Sequence, residues 1–176
     1  MKIDRPGENE YASFYAGYVA RVPETDILQA LREQPNELSR VAGSVSKEKE
    51  QFRYGEEKWS VREIYGHLVD SERFFGHRAF CVSRGDATPL PGFDEKLYVS
   101  GAGHDSRPLA DLVKDFSLLR EANVRLLESL EPAAFSREGV ANGAKVTVRA
   151  LAYIMTGHVR HHLSVLRERY GVGASG

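Results

Sequence analysis

A chain of 176 residues is long enough to enclose one hydrophobic core and too short for two ordinary domains. Its 25 acidic and 24 basic side chains nearly cancel, which argues against the broad positive field that draws a protein to nucleic acid or to an anionic membrane. The lone Cys81 excludes an intramolecular disulfide, no apolar run approaches the roughly 20 residues of a membrane span, and MKIDRPGENE lacks the basic end and apolar run of a secretory signal, so a cytoplasmic protein is expected.

A single domain over 1–176 is expected, and its first segment, 1–24, places Pro6 and Pro23 around Tyr11, Phe14, Tyr15 and Tyr18. This reads as an arm whose aromatics pack on the body of the domain. From Thr25 the spacing of Ile27, Leu28, Leu31, Leu38 and Val41 predicts a helix, with Thr25 or Asp26 as its N-cap. Pro35 removes a backbone donor and is expected to kink or split that helix near Gln34. The SKEKEQ run beyond Val45 reads as a solvated turn or helix edge.

Ser60 with Glu63 three positions later is a capping box and starts the second helix. It carries Val61, Ile64, Tyr65, Leu68, Phe75, Ala79 and Val82 inward, holds His67 in its first half, and meets a left-handed stop at Gly85. Residues 86–105, with Pro89, Pro91, Gly92, Gly101 and Gly103, read as a long loop between helices two and three, of the kind that serves as a lid or binding loop. Ser106 and Pro108 open a third helix with Leu109, Leu112, Phe116, Leu119, Leu126 and Leu130 at intervals of three and four, and Pro132 forbids its continuation. REGVANGAKV is a second turn-rich connection with room for a short extended piece. Thr147 caps the last helix, Gly171 closes it, and 171–176 is expected to be a flexible tail. Four amphipathic helices, no convincing strand pattern and no internal repeat predict an all-α fold, a four-helix bundle.

The chemistry sits on the last helix. At about 100° per residue, Val148, Leu151, Met155, Val159, Leu163 and Leu166 form an apolar stripe, and His158 and His162 fall inside it while His161 falls at its edge. An imidazole on a buried face must recover the hydrogen bonds it loses with water, from a protein group or from a metal. His67 lies on the inward side of another helix, and bundle cores commonly build metal sites from facing helices. Three neutral imidazoles without a fourth protein ligand leave room for water, the pattern of a catalytic site that suits zinc, nickel or ferrous iron. Glu63 and Asp70, each about one turn from His67, are candidates to hydrogen-bond its ring, though the capping box competes for Glu63. His161 reads as a rim residue, His77 as a surface or helix-contact residue, His104 as an exposed loop residue with reach to a pocket mouth, Trp59 as a core plug and Cys81 as buried and inert. No GxSxG, Walker or CxxC element supports a rival scheme.

KWSVREIYGHLVDSERFFGHRAF, TPLPGFDEKLYV and VTVRALAYIMTGHVRHHLSVLRERY, in that order, resemble the second-helix, middle-connection and last-helix signatures of the DinB-like superfamily over about residues 9–170. The resemblance implies a bundle of up-down-down-up type and a metal triad on His67, His158 and His162. It also implies a divalent metal that activates either a water or a low-molecular-weight thiol cosubstrate such as bacillithiol or mycothiol, often in a homodimer. The resulting expectation is a metal-dependent hydrolase or thiol S-transferase acting on a small molecule. The alternative from another class is a metal-free helical ligand-binding or interaction module, with the histidines satisfied internally. A DNA-binding role is opposed by the balanced charge.

Overall fold

The computed structural model describes residues 3–173. The chain forms α1 (Ala16–Ala20), α2 (Ile27–Gly43), α3 (Val61–Ser83), α4 (Glu95–Ala102), α5 (Leu109–Glu128), a hairpin of β1 (Glu138–Ala141) and β2 (Ala144–Thr147), and α6 (Val148–Tyr170). Residues 174–176 of the expected tail lie outside the described part. The long helices α2, α3, α5 and α6 make the bundle, and α2 and α3 each pack against both α5 and α6. So α2 stands across the bundle from α3, and α5 from α6. One apolar cluster joins the N-terminal halves of α2 and α6 (Leu31, Leu151) to the C-terminal halves of α3 and α5 (Val82, Leu127). A second joins the opposite halves through Leu38, Leu163, Leu68 and Phe116. So α2 and α6 run one way and α3 and α5 the other, the up-down-down-up arrangement.

Between the two clusters lies a buried polar layer. Arg120 and Glu72 are 1% and 2% exposed, and the guanidinium grips the carboxylate with two bonds of 2.7 and 2.8 Å. Its third nitrogen donates to Gln34 Oε1 at 2.5 Å, and Gln34 in turn donates to the carbonyl of Thr156 on α6 at 2.8 Å. The same guanidinium explains why Pro35 does not split its helix. Proline has no N–H to offer the carbonyl of Leu31, and Arg120 Nη1 approaches that oxygen at 3.4 Å, so α2 continues unbroken to Gly43.

Two further expectations are corrected. Residues 86–105 are not one loop: Asp94 accepts hydrogen bonds from the amides of Lys96 and Leu97, α4 follows, and Gly103 at φ 64° ends it. The connection after α5 is a two-stranded antiparallel hairpin, turning through Asn142 (φ 52°) and Gly143 (φ 73°), both left-handed as a type I′ turn demands. Leu90 pairs with this hairpin, donating to Val140 O at 2.8 Å and accepting from Asn142 N at 2.9 Å. That docks the segment before α4 against β1.

The short helix α1 lies on α6, at a point where the sequence permits close approach. A Cβ at Gly157 would stand 2.0 Å from the carbonyl oxygen of Tyr18. Glu10 fastens the same segment, accepting from Thr147 Oγ1 at 2.8 Å and from Arg149 Nε at 2.6 Å. Gly157→Ala is therefore expected to force α1 outward and to cost about 1–3 kcal/mol by overpacking. Urea denaturation checks this, and an unchanged midpoint contradicts the close approach.

Candidate metal centre

The first half of α3 and the middle of α6 bring three imidazoles to one point beside the polar layer. His67, His158 and His162 are 1%, 5% and 8% exposed. His158 Nε2 lies 3.0 Å from His67 Nε2 and 3.1 Å from His162 Nε2, and the three ligating atoms all fall within 4.8 Å of one another. Spacing of four on α6 stacks two rings on one face, and packing of α3 on α6 supplies the third.

Hydrogen bonding alone satisfies this cluster poorly. Each neutral ring carries one proton, yet His158 Nε2 faces two other nitrogens at once. Burial drives all three toward the neutral form: desolvation brings His67 down to about 4 against the opposing pull of the Asp70 charge, and desolvation followed by the neighbouring imidazoles holds His158 and His162 well below the ordinary histidine range. Three lone pairs converging in a dry site suit a single divalent cation. Nitrogens bound about 2.1 Å from one ion, 90–110° apart, lie roughly 3.0–3.4 Å from each other, a spacing that two of the three pairs, at 3.0 and 3.1 Å, already have.

Packing holds the rings. Trp59, expected as a core plug, lies against His67 with ring centroids 4.8 Å apart, and Tyr18 of α1 meets His158 edge-on at 5.3 Å. Glu63 and Asp70 do not support His67 as expected. Glu63 is taken by the capping box, 2.8 Å from the amide of Ser60, and by Arg53. Asp70 accepts from His104 Nε2 at 2.9 Å and from Arg73 at 3.2 Å. His67 Nδ1 is buried without a partner among the described residues. The groups that do approach His67 Nε2 are Ser71 Oγ at 3.4 Å and Glu95 Oε2 at 4.0 Å. Sequence reasoning missed both. Ser71 was findable, one turn beyond His67 on the same face, and Glu95 follows an N-capping Asp94 in a stretch read as loop.

His104 is buried rather than exposed. Its ring occupies the space that a Cβ on Gly66 would need, 2.1 Å from that position, and its bond to Asp70 ties the end of α4 to α3. His161 lies half-buried at the rim, 5.0 Å ring to ring from His162. His77 is exposed, beside the buried Cys81 thiol, which burial pushes up.

Two clefts reach the triad. One, of about 250 Å³, is walled by α3, α1 and the hairpin turn and touches His67 and His158; the other, of about 270 Å³, touches His161 and His162. Glu95 borders both.

The neutral rings make the cation-free protein sensitive to acid. The unfolded chain takes up protons at these imidazoles near pH 6.5, whereas the native chain resists until far lower, so it is the unfolded state that binds more protons as pH falls. Their contribution is intact above about pH 6.5 and is lost as pH drops toward about 4, the value for His67, with a slope of at most ~1.4 kcal/mol per pH unit for each ring. Glu10 does not contribute in this window. Burial raises its pKa, but bonds from Arg149, the Gly7 amide and Thr147 outweigh that and bring it to about 2, so its stabilisation is lost only below about pH 4.5. Urea melts of chelator-treated protein at pH 7.5 and 5.0 are expected to show a clear loss at pH 5.0, and equal midpoints contradict the neutral triad.

The fold and this cluster together define a four-helix bundle with three imidazoles between α3 and α6 that could hold a metal ion. Its family follows from sequence: the model of the DinB superfamily matches residues 30–166, and the chain belongs to that superfamily. Among solved structures it resembles YfiT from Bacillus subtilis, described as a probable metal-dependent hydrolase with an unusual four-helix bundle topology, at 19% identity and TM-score 0.72 over 96% of this chain and 94% of that one. It also resembles YjoA, a DinB-like protein of Bacillus subtilis, at 22% identity and TM-score 0.58 over 82% and 90%. At these identities the likeness is one of fold. No curated protein matches the sequence. Among the described residues no helix is long and apolar enough to cross a membrane.

Proposed function

We propose that the chain is a metal-dependent hydrolase of small molecules, with a divalent cation, zinc, nickel or ferrous iron, held by His67, His158 and His162. A cation there supplies a Lewis acid that polarises a substrate oxygen and makes a coordinated water or thiol more acidic. The observation that carries the hydrolytic reading is Glu95, which is about half exposed (54%), lines both clefts, and stands with its carboxylate 4.0 Å from His67 Nε2. Burial first, and then Asp94, hold its carboxyl above the ordinary range, which makes it a better proton acceptor toward neutral pH. It takes the proton from the nucleophile and returns it to the leaving group. Trp59, Phe75 and Tyr18 restrict water around the rings, and the Tyr18 phenol, raised to about 12 mainly by burial, stays protonated and able to donate.

A second reading, transfer of the electrophile to a low-molecular-weight thiol, is favoured by the second cleft, since two reactants need two approaches to one centre. A turnover screen of zinc-, nickel- and iron-loaded protein against ester and amide panels, with and without thiols, tests both. Thiol-independent turnover is expected, with Glu95→Gln lowering kcat by about 10²–10⁴ at unchanged metal content. Turnover that strictly requires thiol selects transfer. Absence of both metal and turnover selects a metal-free binding module.

A further inference from the structure

The cleft that touches His67 and His158 also contains a buried cation with no counter-ion. Arg78 is 2% exposed, yet among the described residues it forms no ion pair with a carboxylate, unlike Arg120, Arg62 and Arg149, whose guanidinium groups pair with Glu72, Glu50 and Glu10. Its bonds go to neutral acceptors: Nη2 donates to Pro91 O at 2.7 Å and Nη1 to Tyr15 Oη at 3.4 Å. Nε is buried with no partner, and the guanidinium lies over the Phe74 ring at 4.5 Å. Desolvating a charge is costly unless an opposite charge meets it. A native chain that keeps such a residue in the wall of a cleft is organised for an anion that arrives from outside.

Position agrees with this. His67, Ser71, Phe75 and Arg78 follow one face of α3 and all line the cleft, with about 16 Å of helix between the first and last Cα. The other walls are aromatic, from Phe14, Tyr15, Tyr18 and Phe93. We propose that Arg78 is a specificity residue that binds an oxyanion on the substrate, a carboxylate or phosphate, several bonds away from the group that reacts at the histidine triad. Assigning that anion to the substrate rests on the metalloenzyme reading; the anion site itself does not. Tyr15 Oη, which accepts from Arg78, has its own proton free for the same anion. The planar guanidinium offers Nε–H as the first donor, the one that lacks a partner among the described residues.

Calorimetric titration with benzoate, phenyl phosphate and neutral benzyl alcohol tests this on wild type, Arg78→Gln and His158→Ala proteins. One or both anions are expected to bind wild type in preference to the alcohol, and the stronger of the two identifies the oxyanion. Affinity is expected to fall about 10-fold or more in Arg78→Gln and to persist in His158→Ala. In wild-type protein the side-chain Nε–H resonance of Arg78 is expected to move on titration, which decides the matter even where Arg78→Gln fails to fold. Anion binding that survives in Arg78→Gln but is lost in His158→Ala places the anion at the metal site and overturns the inference while leaving the metalloenzyme reading intact. An unmoved Nε–H resonance, or no anion binding to wild type, overturns it as well. Anion binding through Arg78 in a protein that holds no metal sustains the site and removes the metalloenzyme reading.

Discussion

His158→Ala is expected to retain less than about a tenth of an equivalent of zinc after reconstitution, against close to one for the untagged wild type. His158 is the centre of the cluster, its Nε2 within 3.0 and 3.1 Å of the other two ring nitrogens, so its loss leaves two nitrogens with no shared neighbour. His161→Ala is the control: that ring stands at the rim and is expected to leave stoichiometry unchanged. Binding to the native site also stabilises the fold, by about 2.7 kcal/mol at a hundredfold excess over Kd. Added zinc should therefore raise the Tm of wild type and of His161→Ala but not that of His158→Ala. Metal analysis and thermal melts on the three proteins provide the check, and undiminished metal in His158→Ala contradicts the site.

Glu72→Ala is expected to cost about 3–5 kcal/mol, because it strands the Arg120 charge in the interior. The pair is 2% and 1% exposed, so removing the carboxylate leaves the guanidinium without its counter-charge in the interior. Replacing both residues with methionine removes the charge along with its partner, and the double variant is expected to be more stable than Glu72→Ala. It does not recover fully, since Gln34 Oε1 and Leu31 O then lose the donor that offsets Pro35. Urea denaturation of wild type, single and double variants measures the difference. A Glu72→Ala loss under about 1 kcal/mol would mean that the polar layer is hydrated and weakly coupled.

Periodicity made the bundle legible. Apolar residues at three and four spacing located all four long helices, and the Ser60–Glu63 box and Thr147 cap are present as expected. The hairpin was signalled by Asn142-Gly143, the dipeptide of a type I′ turn, but its strands are four residues each, too short for alternation to stand out. α4 was hidden by Gly101, Gly103 and two prolines nearby, although Asp94 marked its start. Pro35 misled because a local rule holds only while the freed carbonyl lacks a partner, and that partner is Arg120, 85 residues away from Pro35 in sequence.

The sequence by itself determined which side chains face inward, since helical spacing fixes the angle of each residue about its own axis; His67, His158 and His162 were therefore nameable one helix at a time. Only tertiary structure decided which of them meet and what surrounds them. The 3.0 Å approach of His67 to His158 across α3 and α6, the placement of Glu95 within range, the diversion of Asp70 to His104 and the isolation of Arg78 all depend on how separate elements pack. Packing fixes distances across the core to ångströms, and no pattern within a single element contains them.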